Sequence, residues 1–452
     1  MTSTPSPADP ATPARRTIAV RVAAPAGPAG RAARPPPVTG PWRWARLLTA
    51  PHRLGFFLAM GVLLAASLWW LLVQADRVYG WLGLGYAVSP TLAHAAAMVF
   101  GFMPLFFAGF LFTAGPNWLR VDALPTRRLL GPLLLQAGGW LAWLAGAHVQ
   151  LALALAGVAL AAAGLAWMVV RFWQLMGASR VEDRVHARTV GIGGVVGVLS
   201  LAGTGLALAV GQEALALVLV RTALWGFIVV TYVSVAHRMI PFFTSSVLPM
   251  VDIWRPFWVL WLMLGAAAFE VLALWVDFAA PSPHAWPAWT VLVIAVEAVL
   301  GGVLLWLAVV WGLVQSLRIR LLAMLHVGFV WFGLALVDSA LSQALWLATG
   351  QPVLGLGALH ALGMGFLGSI MIAMVTRVSC GHSGRALVAD TPLWVLFWAL
   401  QGAVLLRLLA ALQGVPGWLT ALAALGWAAI VVVWVLRYAP WYGKPRIDGK
   451  AG

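Results

Sequence analysis

The chain has 452 residues, of which 62% are hydrophobic and only 9% charged, a balance that excludes an ordinary soluble domain and fits a polytopic membrane protein. Its net charge of +15 would point to nucleic acid in a soluble protein, but the basic residues sit in short loops between apolar runs, where they orient helices. Nucleic acid is therefore excluded as a partner, and a single cysteine, Cys380, excludes an intrachain disulfide and any zinc site built on several thiolates.

Residues 1–41 are rich in Pro, Ala, Arg and Thr, with no apolar run of signal-peptide length, and read as a disordered tail. A bilayer span needs about 20 mainly apolar residues. Twelve stretches qualify: 54–73, 92–115, 129–147, 149–170, 189–210, 214–236, 256–276, 287–313, 321–347, 353–375, 392–411 and 417–436. The expected fold is an all-α bundle of twelve spans over residues 42–440, closed by a short tail over 441–452.

All but three of the 28 Lys and Arg fall before the first span, after the last, or in the loops that join even spans to odd ones. The exceptions are Arg77, in an opposite loop, and Arg221 and Arg407, inside spans. By the positive-inside rule both termini are expected in the cytoplasm.

Ionisable groups inside a span are costly unless paired or set against water, so each is a functional hypothesis or a structural ion pair. Glu270, Glu297, Asp338, Arg221 and His360 all fall in the outer halves of their spans, where Arg221 is placed to neutralise Glu297 or Asp338. Arg407 lies near a span end and reads as snorkelling to the surface.

His360 opens the tenth span, and Met364, Met371 and Met374 follow it within roughly 40° of one line along a helix. Gly363, Gly365 and Gly368 leave room for a flat ligand or a neighbouring helix. His94 and Met98 repeat the spacing of four at the start of the second span. Imidazole and thioether together suit haem iron or Cu(I), although Met is also a common filler of packing gaps.

A second histidine group lies on the cytoplasmic side: His52 before the first span, His237 after the sixth, His326 early in the ninth and His382 after the tenth. Arg53, Arg238, Arg377 and Arg385 lie near them, and guanidinium groups there suit carboxylates such as haem propionates. The same arginines also satisfy the positive-inside rule. His148, His186 and His284 lie in or beside loops and are not counted among the site residues.

Four stretches, "FGFMPLFFAGFLFTAGPNW" from 100, "HRMIPFFTSSVLP" from 237, "LLAMLHVGFVWFGLAL" from 321 and "GALHALGMGFLGSIMIAMVTRVSCGHSGRAL" from 357, resemble the NnrS family of bacterial membrane proteins over residues 52–440. The resemblance implies a multi-pass protein of the bacterial inner membrane that binds haem and copper and acts in the response to nitric oxide or a nitrosyl species. It carries the family pattern onto Arg238, Ile240, Pro241, Phe242, Phe243 and Thr244, onto His326, and onto His360, Arg377, His382 and Arg385. One departure matters: the pattern's second His and its Glu in the second span are Ala96 and Ala97 here. Haem through His94 and His360 is therefore the leading cofactor expectation, and a copper site that uses the missing pair is weakened.

The alternative is a secondary transporter of a metal or small anion, since twelve spans with buried charges also suit alternating access. Against it, the loop "GPNWLRVDALPTRR" lacks the signature of the major facilitator family. No catalytic residue and no electron donor are assigned. The topology has a direct check: a reporter fused after residue 452 is expected to be active in its cytoplasmic form only, and activity of a periplasm-dependent reporter there overturns the orientation.

Overall fold

The computed structural model describes residues 38–248, 250 and 253–450. Among them there is no strand, and twelve helices are long and apolar enough to cross a membrane. They are α1 Pro51–Tyr79, α2 Pro90–Leu119, α3 Arg127–Val149, α4 Leu151–Ala178, α5 Val185–Ala209, α6 Glu213–Val247, α7 Phe257–Ala279, α8 Pro287–Val310, α9 Arg320–Thr349, α10 Gly357–His382, α11 Thr391–Leu409 and α12 Trp418–Tyr442. The chain is thus an all-α, multi-pass membrane protein.

Helix ends follow local chemistry. Ser89 caps α2 by accepting from the Leu92 amide at 3.3 Å, with Pro90 in the first turn, and Asp390 does the same for α11 through the Leu393 amide at 3.2 Å. Gly80 (φ 67°) and Gly350 (φ 71°) end α1 and α9 in the left-handed conformation that glycine adopts without strain. Gln150 is extended (φ −168°), which separates α3 from α4 just past His148.

The largest departure from the expected spans is α6, which runs to Val247 rather than 236. Its added turns hold polar residues that the bundle encloses, with His237 and Thr244 both buried, so the helix continues where hydropathy falls. α10 starts later than expected, at Gly357, and runs on to His382. The tail expected over 1–41 lies outside the described residues as far as residue 37. Beyond it, residues from 38 on pair with the other end of the chain: Val38 N–H donates to Ile447 O at 3.0 Å and Arg43 N–H to Gly443 O at 2.9 Å. Arg53 ties α1 to the same segment through the carbonyls of Tyr442 and Lys444, at 3.0 and 2.9 Å.

α2, α9 and α10 are the most enclosed helices and form the centre of the bundle. Three helices each contain one wide, π-helical turn: Ala97–Gly101 in α2, Leu224–Val229 in α6 and Ala361–Gly368 in α10. Such turns insert one residue into the α-helical register and recur at functional sites.

Small residues set the closest helix pair. A Cβ on Gly139 of α3 would lie 2.5 Å from Gly157 O of α4, and one on Gly157 would lie 2.6 Å from Gly139 O. Without a hydrophobic drive between helices in lipid, this backbone approach gives dispersion its reach. Gly157→Leu is expected to destabilise the bundle by about 1–3 kcal/mol through overpacking, read as a lower thermal midpoint in detergent. Gly138→Leu, where nothing lies within 4 Å, is expected to leave it unchanged.

Candidate functional site

The three wide turns surround one cavity of about 180 Å³. A water needs about 10–15 Å³, so the space is large enough for a ligand group and not only for a single water. α2 contributes His94 and Met98, α6 contributes Arg221, α10 contributes His360 and Met364, and α11 contributes Arg407. Most of the remaining wall is apolar, including Leu224, Ile228, Leu359 and Leu367. The structure therefore brings together the two histidines and two of the four methionines that the sequence singles out.

The helical line from His360 to Met374 divides between two cavities. Met371 and Met374 line a second, smaller space of about 70 Å³ deeper in the bundle, between α2, α6 and α10. Tyr232 lies between the two: its hydroxyl contacts Met103 Sδ at 3.3 Å and Leu367 O at 3.2 Å, residues that line the first cavity, while its ring lines the second.

The two histidines are held differently. His360 Nδ1 lies 2.8 Å from Leu356 O, one turn back in its own helix, which places the proton on Nδ1 and leaves Nε2 as a lone pair. This is the arrangement in which metal-binding imidazoles are commonly oriented. His94 stacks on Trp70 of α1, ring centroids 3.8 Å apart and planes 14° from parallel, and its Nδ1 is buried without a partner. Arg77 lies over the same Trp70, 5.6 Å from the ring centre.

The arginines of the cavity correct two expectations. Arg221 pairs with neither Glu297 nor Asp338: the only ion pairs among the described residues are Arg437–Asp390 and Arg446–Asp448, at the bundle end where residues 38–43 pair with 443–447. Glu297 instead accepts from Ser339 at 2.7 Å through Oε1, while its Oε2 and the Oε1 of Glu270 are buried without a hydrogen-bond partner. Asp338 packs against the backbone of Gly357. Arg407 does not snorkel free of the bundle; it lines the cavity, and its Nη1 is buried without a partner.

At the opposite end, where Arg446 holds the Asp448 carboxyl below the usual range by hydrogen bonds, the four expected histidines do not form one site. The rings of His52 and His382 meet at a tilt, centroids 4.4 Å apart and planes 41° from parallel. His237 uses both ring nitrogens, Nδ1 with His186 Nε2 at 3.0 Å and Nε2 with Pro256 O at 3.1 Å, and so has none left for a metal. His186 is a buried partner that its place beside a loop conceals. His326 is a third, separate arrangement. Thr244 donates its hydroxyl to Ile240 O at 2.9 Å and so accepts from His326 Nε2–H at 3.0 Å. Among the described residues no group of three or more His, Cys, Asp or Glu is arranged to hold a metal ion.

The expected carboxylate-binding arginines there face aromatic rings: Arg238 over Trp118 at 5.1 Å, Arg377 over Phe243 at 3.8 Å and Arg385 over Trp441 at 3.9 Å. Cation–π contact and fixed imidazole bonds make this end a structural seam. Thr244→Val, which deprives His326 of its acceptor inside the bundle, is expected to cost about 1–3 kcal/mol of stability, read by thermal unfolding in detergent, with any cofactor spectrum unchanged.

A family model described as NnrS protein matches residues 46–446, nearly the whole chain. No curated protein and no solved structure matches it.

Proposed function

This chain belongs to the NnrS family, whose membership supports a nitric-oxide-related membrane protein, and on that footing we propose that it binds haem in the cavity between α2, α6 and α10, with His94 and His360 as ligands to the iron. The observation that carries the reading is the pair of histidines on one cavity wall, one with Nδ1 tied to Leu356 O so that Nε2 is bare, the other with an orphaned buried Nδ1. A neutral histidine in an apolar wall otherwise leaves a costly unpaired nitrogen. Bound haem supplies an iron centre able to take up a diatomic molecule or an electron.

The chain's own residues orient that group and keep it dry. Trp70 holds the His94 ring plane, and the α10 backbone holds that of His360. Gly363, where an added Cβ would meet nothing within 4 Å, leaves the wall open to a flat ring edge. Met98 and Met364 supply polarisable contact.

Copper is left out of the proposal, because Ala96 and Ala97 occupy the positions of the second His and the Glu, and a thioether pair alone makes a thin ligand set. The bacterial inner membrane, with both termini cytoplasmic, is proposed on the loop charge bias.

Purified protein is expected to show a Soret band. His360→Ala and His94→Ala are each expected to remove or strongly shift it while the protein stays in the membrane at wild-type level. A spectrum unchanged in both variants overturns the assignment.

A further inference from the structure

The three basic residues that break the loop-charge bias of the sequence, Arg77, Arg221 and Arg407, all converge on the cavity of His94 and His360. Arg77 is committed to the face of Trp70. Arg221 and Arg407 line the wall itself, and no carboxylate among the described residues pairs with either. Glu270, Glu297 and Asp338 do not line this cavity and none of them pairs with an arginine; Glu297 accepts from Ser339 at 2.7 Å. Two cations are thus left facing an otherwise apolar space, one of them with an orphaned Nη1. An unpaired charge taken out of water is destabilising, and a wall that keeps two such charges is built for the charge of what enters it.

We propose that Arg221 and Arg407 bind the two carboxylates of the ligand, so that the cavity selects a tetrapyrrole dicarboxylic acid over its neutral esters. The proposal rests on the haem reading above, and it adds how the ring is recognised before any iron is ligated. Guanidinium suits carboxylate because it offers paired donors in a plane, and charge-assisted hydrogen bonds in a water-poor wall are stronger than neutral ones. Arg221 enters from α6 and Arg407 from α11, so the two carboxylates would be held by separate helices and the ring's rotation in its plane fixed. The wide turn at Leu224–Val229 begins three residues after Arg221 and alters the register that presents it.

The test uses the full-length protein in lipid nanodiscs without bound cofactor, titrated with metal-free protoporphyrin and with its dimethyl ester, followed by porphyrin fluorescence. The wild type is expected to bind the free acid at least about 30-fold more tightly than the ester. Arg221→Gln and Arg407→Gln are each expected to weaken the free acid about 10- to 100-fold and to leave the ester unchanged, with Arg407→Lys intermediate and the exposed Arg188→Gln without effect. Arg407→Leu is expected to raise the thermal midpoint of the ligand-free protein, which removal of a structural ion pair would lower.

Equal affinity for acid and ester, or unaltered binding in both glutamine variants, overturns the proposal. So does displacement of the free-acid porphyrin from the wild type by phosphatidylglycerol together with an Arg407-dependent rise in thermal midpoint on adding that lipid, because the guanidinium groups then serve anionic lipid. The metal-free porphyrin has no iron to ligate, so these results are independent of His94 and His360. Loss of the histidine assignment with acid selectivity intact would leave the arginine pair standing, and the reverse result would leave the histidines standing alone.

Discussion

A charged side chain at the centre of a bilayer span costs on the order of 2.5–3.5 kcal/mol on insertion scales, and this chain accepts that cost at very few positions. The acids inside the bundle pair with no arginine: Glu297 accepts from Ser339, and Glu270, Glu297 and Asp338 each keep one buried oxygen without a partner. The arginines at the end carrying the described chain termini rest on aromatic rings or on backbone carbonyls. Around one cavity two guanidinium groups line a largely apolar wall with no acid beside them, and there the helices also abandon regular α-helical register. The departures coincide because a wide turn is one of the few ways a helix sealed in lipid can present an extra side chain without exposing its backbone.

The rest of the bundle holds that cavity by close helix contact. Glycines in α3 and α4 bring the two backbones together, and the segments on either side of the bundle, residues 38–53 and 442–447, interlock through main-chain hydrogen bonds and Arg53. The histidines at this end belong to the same fixing. His237 joins His186 to the Pro256 carbonyl, His326 joins α9 to Thr244 of α6, and the tilted rings of His52 and His382 meet across α1 and α10. His237 spends both ring nitrogens and His326 its Nε2 on holding helices in place, while His326 Nδ1 is buried without a partner.

The twelve spans are legible in the sequence because an apolar run of bilayer length has few other uses, and charge at the loop ends agrees with it. The limits of α6 are not, since its last turns carry polar residues that a hydropathy reading assigns to a loop and that the bundle encloses. His94, Met98, His360 and Met364 are legible at helical spacing and do share a wall. Depth alone does not fix the partner of Arg221, because it says nothing about which face of α6 the guanidinium takes. For Arg407 the informative signal is its place on the side where basic residues are scarce, not its nearness to a helix end. The wide turns leave no mark that a fixed advance of 100° per residue can detect, which is why His360 and Met374 read as one line and line two spaces.

The layer formed by Tyr232, Met103 and Leu367 lies between the charged cavity and the apolar space beneath it. An apolar layer conducts neither ions nor protons, so it closes the floor of the cavity to charge. A charged group held at Arg221 and Arg407 would therefore be seated inside the bundle without a continuous path for charge running through it.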